Sequence, residues 1–141
     1  MHALRWPFRA LLLAALALIA CVGPTLIVEH YAGPRRPAEE IAILRFYGND
    51  RTLLVVVDGE RADVSLADDV RLHIEVLPGK HRVGVVPRED SQGPLRMVSF
   101  ETAPGRTYRI VFAAGQADRA RAYEVDAESD ALLRDVTLDA R

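Results

Sequence analysis

Short apolar runs, separated by turns that contain glycine or proline, fill the chain from residue 41 to residue 138. Ile41–Tyr47 is one such run. Thr52–Val57 is nearly continuous, which is typical of a strand covered on both sides. Asp58-Gly59 then predicts a hairpin with Arg61–Leu66 as the return strand, because glycine tolerates the positive φ of a type I′ turn. The spacing predicts an all-β fold, a single small antiparallel β-sandwich of about seven or eight strands.

The dipeptide Pro78-Gly79 predicts a second hairpin, between Val70–Leu77 and Lys80–Pro87. In that register one face is almost wholly apolar, and Glu75 faces Arg82 on the other. The cross-strand partners on the largely apolar face would be Leu72 with Val85, Ile74 with Val83 and Val76 with His81. Proline prefers a type II turn, whose twist suits hairpins less well, so a bulge could shift this pairing.

Two more strand pairs are predicted in the last third of the chain. Arg96–Thr102 and Thr107–Ala113 would form a hairpin around Pro104-Gly105, an echo of the earlier dipeptide. Its core residues would be Val98, Phe100, Tyr108, Ile110 and Phe112. Arg121–Asp126 and Leu132–Leu138 would form the last pair, although residues 131–134 could instead form a helical turn.

The first twenty residues have the pattern of a signal peptide. Arg5 and Arg9 precede an apolar segment of eleven residues, Ala10–Ala20, which ends in small side chains. Eleven helical residues at about 1.5 Å each cannot cross a hydrocarbon core of roughly 30 Å. The nineteen uncharged residues Ala10–Val28 leave an uncleaved transmembrane helix open, although Gly23-Pro24 interrupts its second half.

Leu18-Ile19-Ala20-Cys21 resembles the lipobox of bacterial lipoprotein precursors. The resemblance implies cleavage between Ala20 and Cys21 and attachment of a diacylglycerol to Cys21, usually with an additional N-acyl chain. Several acyl chains give lasting membrane attachment, whereas one would be marginal. Cys21 is the only cysteine, so the folded part can form no internal disulfide.

The chain therefore divides into three predicted parts: a signal peptide over residues 1–20, a lipidated cysteine with a flexible tether over 21–40, and a β-sandwich domain over 41–141. The tether is expected because glycines and prolines break any periodic pattern there. Lipidation would place the chain in a bacterial cell envelope. Val22 follows Cys21 where aspartate would favour inner-membrane retention in enterobacterial-type lipoproteins. In a Gram-negative source, this resemblance favours the outer membrane with the domain in the periplasm. The choice between the inner and outer membranes stays open.

A second resemblance covers roughly residues 52–86. Val55-Val56-Val57-Asp58-Gly59, followed by Leu77-Pro78-Gly79-Lys80-His81-Arg82-Val83, resembles the PEGA-type domain and its prealbumin-like relatives. The sequence departs from that family at residues 62–65, Ala-Asp-Val-Ser, where a Gly-x-x-Pro step usually links the two motifs. Such domains are generally non-enzymatic accessory modules of bacterial envelope proteins, so the resemblance implies a small sandwich without catalytic residues.

The net charge and the motifs of the chain argue against several classes of function. Without Arg5 and Arg9, sixteen Lys and Arg residues face twenty acids, a net charge of about −4 that gives no support for nucleic-acid binding. His73 and His81 would lie on opposite faces of their hairpin and could not share a metal ion. The adjacent pair Asp68 and Asp69 is more typical of a turn than of an acid/base pair. The serines lack a G-x-S-x-G setting. We expect no catalytic residue, metal or cofactor.

The longest polar loop is the candidate partner-binding element, since mobile loops carry recognition more often than strands do. It comprises Arg88, Glu89, Asp90, Ser91 and Gln92. The expected function is a lipid-anchored, non-catalytic binding or structural module that faces the periplasm or the cell surface. Its partners would be the membrane and another envelope protein or cell-wall component. One alternative is an envelope hydrolase or metal-dependent enzyme with a site built from scattered polar residues. A second is a carbohydrate- or peptidoglycan-binding module that uses Tyr31, Tyr47 or Tyr123.

Overall fold

The computed structural model describes residues 23–47, 52–62, 70–87, 92–113 and 116–138. Regular structure in these residues consists of ten strands and one 3₁₀ turn, Ala38–Glu40, which confirms the all-β prediction. The strands are β1 Thr25–Glu29, β2 Ala42–Tyr47, β3 Thr52–Val57, β4 Glu60–Arg61, β5 Arg71–Val76, β6 Gly79–Pro87, β7 Arg96–Thr102, β8 Thr107–Ala113, β9 Gln116–Val125 and β10 Leu132–Asp135. Within the described part of the chain, no helix is long and apolar enough to span a membrane.

The strands form two sheets. One has six strands in the order β1-β5-β2-β8-β9-β10, and the other has four in the order β4-β3-β6-β7. The prediction of a purely antiparallel fold with seven or eight strands is wrong. β1 pairs with β5 in parallel, and so does β2 with β8. Each parallel pair is joined by a long connection that passes through the other sheet, as parallel strands require.

The core lies between the two sheets. Alternate residues of each strand point inward, as the period of two requires. The largest fully buried side chains are Leu44, Phe46, Val55, Val57, Leu72, Ile74, Val76, Val83, Val85, Phe100 and Tyr108. Each side chain of this size contributes about 1.5–3 kcal/mol when it leaves water. Both sheets supply members of this one cluster, so neither apolar face is stable without the other.

The two Pro-Gly hairpins predicted from the sequence do not exist as strand pairs. β5 belongs to the six-stranded sheet and β6 to the four-stranded sheet, and the same change of sheet separates β7 from β8. The chain passes from sheet to sheet at the two turns that contain Gly79 and Gly105. Both glycines have positive φ values, 144° and 70°. The predicted core-facing aliphatic residues of β5 and β6 are nonetheless buried, whereas His81 is only partly buried and bonds to the Asp58-Gly59 turn. The aliphatic residues contribute to one core from opposite sheets, because a period of two fixes which face is apolar but not which strand lies alongside.

The antiparallel pairing of the last predicted pair is confirmed, and of the first predicted pair the turn is confirmed and the return strand only at Arg61. Asp58 and Gly59 have φ values of 51° and 88°, and their turn pairs Val57 with Glu60. The return strand is only two residues long, and residues 63–69 lie outside the described ranges. β9 and β10 pair in an antiparallel manner around residues 126–131, so the helical-turn alternative is wrong. Phe112 lies in β8, but its side chain is outside what the structure describes.

The predicted tether contains a strand. Thr25–Glu29 forms β1, so the prediction of a flexible segment is wrong for these residues. β5 would otherwise be an edge, and β1 satisfies its backbone groups. The pairing extends beyond β1 at both ends: Arg71 N–H donates to Pro24 O over 3.0 Å, and His30 N–H donates to Glu75 O over 2.8 Å. Val28 packs against the core, which gives this short strand an apolar contact as well.

Tyr108 connects the core to the β7–β8 crossing. Its ring lies 5.8 Å from that of Phe100, and its hydroxyl accepts a hydrogen bond of 2.8 Å from Ala103 N–H, five residues earlier. Burial raises the pKa of Tyr108, with the nearby charge of Glu124 acting in the same direction, although the bond from Ala103 N–H opposes it. The phenol therefore remains neutral and holds the turn against the sheet.

We expect Tyr108→Phe to lower the free energy of unfolding by about 1 kcal/mol, because the Ala103 N–H loses its acceptor while the ring still fills the core. Urea unfolding followed by circular dichroism measures the change. Tyr123→Phe is the matched control, because the hydroxyl of Tyr123 has no hydrogen-bond partner within the described ranges. Equal midpoints for the two variants would contradict the assigned role of Tyr108.

Candidate functional site

The outer face of the six-stranded sheet carries a row of polar and aromatic side chains. Leu44 and Phe46 point into the core, so Arg45 and Tyr47, which alternate with them, lie on the opposite face. Arg45 is the register partner of His73 on β5 and of Arg109 on β8. Tyr47 is the partner of Arg71, and Arg109 is the partner of Tyr123 on β9. We call the cluster of Arg45, Tyr47, Arg71, His73, Arg109 and Asp130 the arginine face.

Asp130 joins two of the arginines. Its Oδ1 lies 3.2 Å from Arg45 Nη1, and its Oδ2 lies 3.2 Å from Arg109 Nη1. Arg45 also donates from Nη2 to the carbonyl of Ala127 over 2.8 Å. Arg45 Nε is buried and has no acceptor among the described residues, so these contacts do not saturate its donors. Asp130 has a φ of 59°, a conformation that aspartate and asparagine adopt more readily than most residues.

The loop that carries Asp130 is held by its own hydrogen bonds. Asp126 Oδ1 accepts from the backbone N–H of Glu128 over 3.1 Å and from that of Ser129 over 2.8 Å. It also accepts from the Ser129 hydroxyl over 2.8 Å. These bonds from Ser129 and Glu128 lower the pKa of Asp126. A carboxylate that stays ionised at neutral pH therefore fixes the loop, and the loop fixes the position of Asp130.

Tyr47 lies between two guanidinium groups. Arg109 Cζ is 4.9 Å from the centre of the Tyr47 ring, and Arg71 Cζ is 5.7 Å from it. Contacts of this type contribute about 0.5–2 kcal/mol, depending on exposure. Burial raises the pKa of Tyr47, as do its hydrogen bond to Asp130 and the charge of Asp130, so the phenol stays protonated at neutral pH. Arg71 forms no ion pair with any carboxylate that the structure describes.

His73 adds an uncharged imidazole to this positive surface. Desolvation lowers its pKa, and the adjacent charges of Arg45 and Arg71 lower it further, while Asp130 and Glu75 oppose them. The arginine face thus brings three permanent cations together with the carboxylate of Asp130, and Glu75 lies beside His73 on the same side of the sheet. Arginine does not lose its proton in proteins, so this arrangement is suited to binding an anion and not to transferring protons.

A second polar cluster links the Asp58-Gly59 turn to β6. Arg82 N–H donates to Asp58 Oδ1 over 2.8 Å, and His81 Nδ1 lies 2.7 Å from Asp58 Oδ2. His81 Nε2 lies 2.8 Å from the carbonyl oxygen of Leu77. Burial raises the pKa of Asp58, but the hydrogen bonds from Arg82 and His81 outweigh it, and the net shift is downward. These contacts hold the turn against the start of β6.

An open cleft of about 510 Å³ lies where β7 faces the segment after β10. Leu138 N–H donates to Ser99 O over 2.7 Å, and Thr137 forms a bridge with Phe100. The end of the described chain thus crosses from the larger sheet to the smaller one. The cleft is lined by Glu101, Thr102, Ala103, Tyr108, Arg134, Asp135, Val136, Thr137 and Leu138. Most of its polar side chains already bond to neighbours, as the 2.6 Å contact between Arg134 and Glu124 illustrates.

The structure separates several residues that the sequence analysis considered together. His73 and His81 lie in different sheets, not on opposite faces of one hairpin. Among the described residues, no three His, Cys, Asp or Glu side chains are grouped as metal ligands would be. Tyr31 donates to Glu75 Oε2 over 3.1 Å. Tyr123 lies half-buried on the outer sheet face.

Other predicted positions lie outside the described residues. They are Ala20, Cys21, Asp68, Asp69, Arg88, Glu89, Asp90 and Ser91. Gln92, the last residue of the predicted binding loop, is exposed just before β7. The arginine face was not predicted. A signal for it exists in Arg45-x-Tyr47 and Arg71-x-His73, where polar residues two apart mark the solvent side of apolar strands.

No known protein family, curated protein or solved structure matches this chain.

The lowered pKa of Asp58 predicts a pH-dependent contribution to stability. A carboxyl group whose pKa is lower in the folded state stabilises the fold above its unfolded pKa, and this stabilisation is lost as the pH falls through the folded value. We expect the difference in unfolding free energy between wild type and Asp58→Asn to shrink between about pH 5 and about pH 2.5. Asparagine keeps the positive φ of the turn and the bond from Arg82 N–H. A difference that stays constant in urea unfolding at both pH values would contradict this account.

Proposed function

We propose that this chain is a lipid-anchored lipoprotein of the bacterial cell envelope whose β-domain is a non-catalytic binding module. The anchor is Cys21, with signal cleavage between Ala20 and Cys21. The domain faces the periplasm from the outer membrane and contacts another envelope protein or a cell-wall component. The arginine face is the observation that carries the binding role, because it presents fixed positive charge on a rigid sheet.

The sequence supports the anchor. Arg5 and Arg9 precede an apolar segment of signal-peptide length, and Leu18-Ile19-Ala20-Cys21 ends that segment. β1 begins four residues after Cys21, at Thr25. The ordered fold thus starts soon after the proposed lipid, and no long spacer separates the domain from the bilayer.

The PEGA-type assignment of the domain is also part of the proposal. Its two motifs, residues 55–59 and residues 77–83, are separated in sequence but meet in space. Asp58 of the first motif bonds to both His81 and Arg82 of the second. Asp58 N–H also donates to the carbonyl of Arg82 over 2.9 Å. Contacts between the most specific residues of the two motifs support the assignment of both motifs to one small sandwich module.

Metabolic labelling tests the anchor. We expect radioactive palmitate to label the wild-type chain and not Cys21→Ser, because the thioether-linked lipid needs the Cys21 thiol. The control is Cys21→Ser combined with Ser129→Cys, which keeps one exposed cysteine in the domain and should also remain unlabelled. Equal labelling of wild type and Cys21→Ser would refute the lipoprotein assignment. A membrane-bound but unlabelled wild type would identify an uncleaved transmembrane anchor instead.

In-cell crosslinking tests the binding role. A photoreactive amino acid at Gln92, at the end of the loop between β6 and β7, is expected to capture a discrete envelope partner. The same probe at Lys80 is the control, because Lys80 is exposed at the opposite end of β6. Adducts separated by electrophoresis and identified by mass spectrometry give the result. Only background at Gln92, or the same adducts at both positions, would contradict a partner-binding loop.

A further inference from the structure

We propose that His81 is a proton-dependent latch, whose ring ties the Asp58-Gly59 turn to the β5–β6 crossing only while both of its nitrogens carry hydrogen. This role concerns the stability of one end of the domain. It is separate from the proposed binding function and does not depend on a lipid at Cys21.

Both ring nitrogens of His81 face hydrogen-bond acceptors. Nδ1 lies 2.7 Å from Asp58 Oδ2, and Nε2 lies 2.8 Å from the carbonyl oxygen of Leu77. A backbone carbonyl has no hydrogen to donate. Burial raises the pKa of Asp58, but the hydrogen bonds from Arg82 and His81 lower it further, so this carboxyl group is ionised at neutral pH. The ring has to supply both hydrogens, and only the imidazolium form has one on each nitrogen.

A neutral His81 ring cannot keep both contacts. With its hydrogen on Nδ1, the lone pair of Nε2 faces the Leu77 carbonyl oxygen. With its hydrogen on Nε2, the lone pair of Nδ1 faces the Asp58 carboxylate. Either arrangement places two acceptors against each other, and the His81 side chain is only 10% exposed, so water has little room to come between them. Loss of one proton therefore breaks the tie to the turn or the tie to the crossing.

The latch connects parts of the chain that belong to different sheets. Asp58 lies in the turn that leads into β4, the two-residue strand at the edge of the smaller sheet. Leu77 follows β5 of the larger sheet, at the point where the chain crosses to β6. A strand as short as β4 gains little from its own pairing with β3. The edge that β4 forms therefore depends on what holds the preceding turn.

The charges around the ring leave Asp58 as the carboxylate in direct contact with it. The charged and titratable residues on the neighbouring elements are His30, Asp58, Glu60, Arg61, Lys80 and Arg82. His30 lies 3.7 Å from Glu60 and acts on Asp58 only through its charge. Arg61, Lys80 and Arg82 alternate with core-facing residues, so their side chains lie on the outer face of the smaller sheet. On β7 the register partner of His81 is the uncharged Phe100.

The test is urea unfolding of the full chain, in micelles of a non-ionic detergent, at about pH 5.5 and about pH 8.5, on either side of ordinary histidine titration. We expect His81→Gln to raise the unfolding equilibrium constant about tenfold more at the lower pH, because only the imidazolium makes both bonds. His73→Gln is the matched control. Burial lowers the pKa of His73, and so do the adjacent arginines, so its loss should not destabilise the fold more at the lower pH.

Asp58→Asn reverses the proton requirement of the latch. The new amide oxygen accepts from Arg82 N–H as before, and the amide N–H group then faces His81 Nδ1 and donates to it. A neutral ring with its hydrogen on Nε2 keeps both contacts in this variant. In the Asp58→Asn background we therefore expect His81→Gln to destabilise the fold more at about pH 8.5 than at about pH 5.5. A histidine with a merely structural role would show the same order in both backgrounds.

Two outcomes would overturn the proposal: equal destabilisation by His81→Gln at both pH values in the wild-type background, or an unchanged order in the Asp58→Asn background. Circular dichroism without urea establishes that each variant is folded. Should His81→Gln not fold, the comparison of Asp58→Asn with the wild type decides. The latch predicts that Asp58→Asn destabilises the fold less at the higher pH, and a constant or greater destabilisation there would refute it.

Discussion

Mutual burial of two apolar sheet faces is the constraint on which this structure depends. Each face presents valine, leucine, isoleucine or aromatic side chains at alternate positions, and the two sets form one core cluster. Either sheet alone would expose that face to water. The chain therefore has to pass repeatedly from one sheet to the other, and the turns at Gly79 and Gly105 perform two of these passages.

The same alternation creates the arginine face. Because Leu44 and Phe46 are required in the core, the positions between and beside them are directed outward and are free to carry charge. Three neighbouring strands use such positions for arginine. The β9–β10 loop then adds a carboxylate from a distant part of the sequence. A positive surface thus develops on a chain whose total charge is slightly negative, and only the fold brings its members together.

Local properties of the fold could be predicted from the sequence, and pairing could not. The observed bounds of β3, β7 and β8 coincide with the predicted runs, since apolar alternation and flanking turns are local signals. The partner of each strand depends on which apolar faces meet, and both Pro-Gly hairpins were wrong for that reason. β1 was missed because glycines and prolines flank its five residues. The arginine face was missed because its register runs across strands that are not consecutive in sequence.

The parallel pairing of β1 with β5 has a geometric consequence for a lipidated chain. Thr25 is the register partner of Arg71, and four residues of extended chain span at most about 14 Å. Acyl chains on Cys21 would therefore hold the edge of the larger sheet within about 14 Å of the bilayer surface. The domain could not rotate freely at a distance, and the β1 edge of its larger sheet would stay close to the membrane.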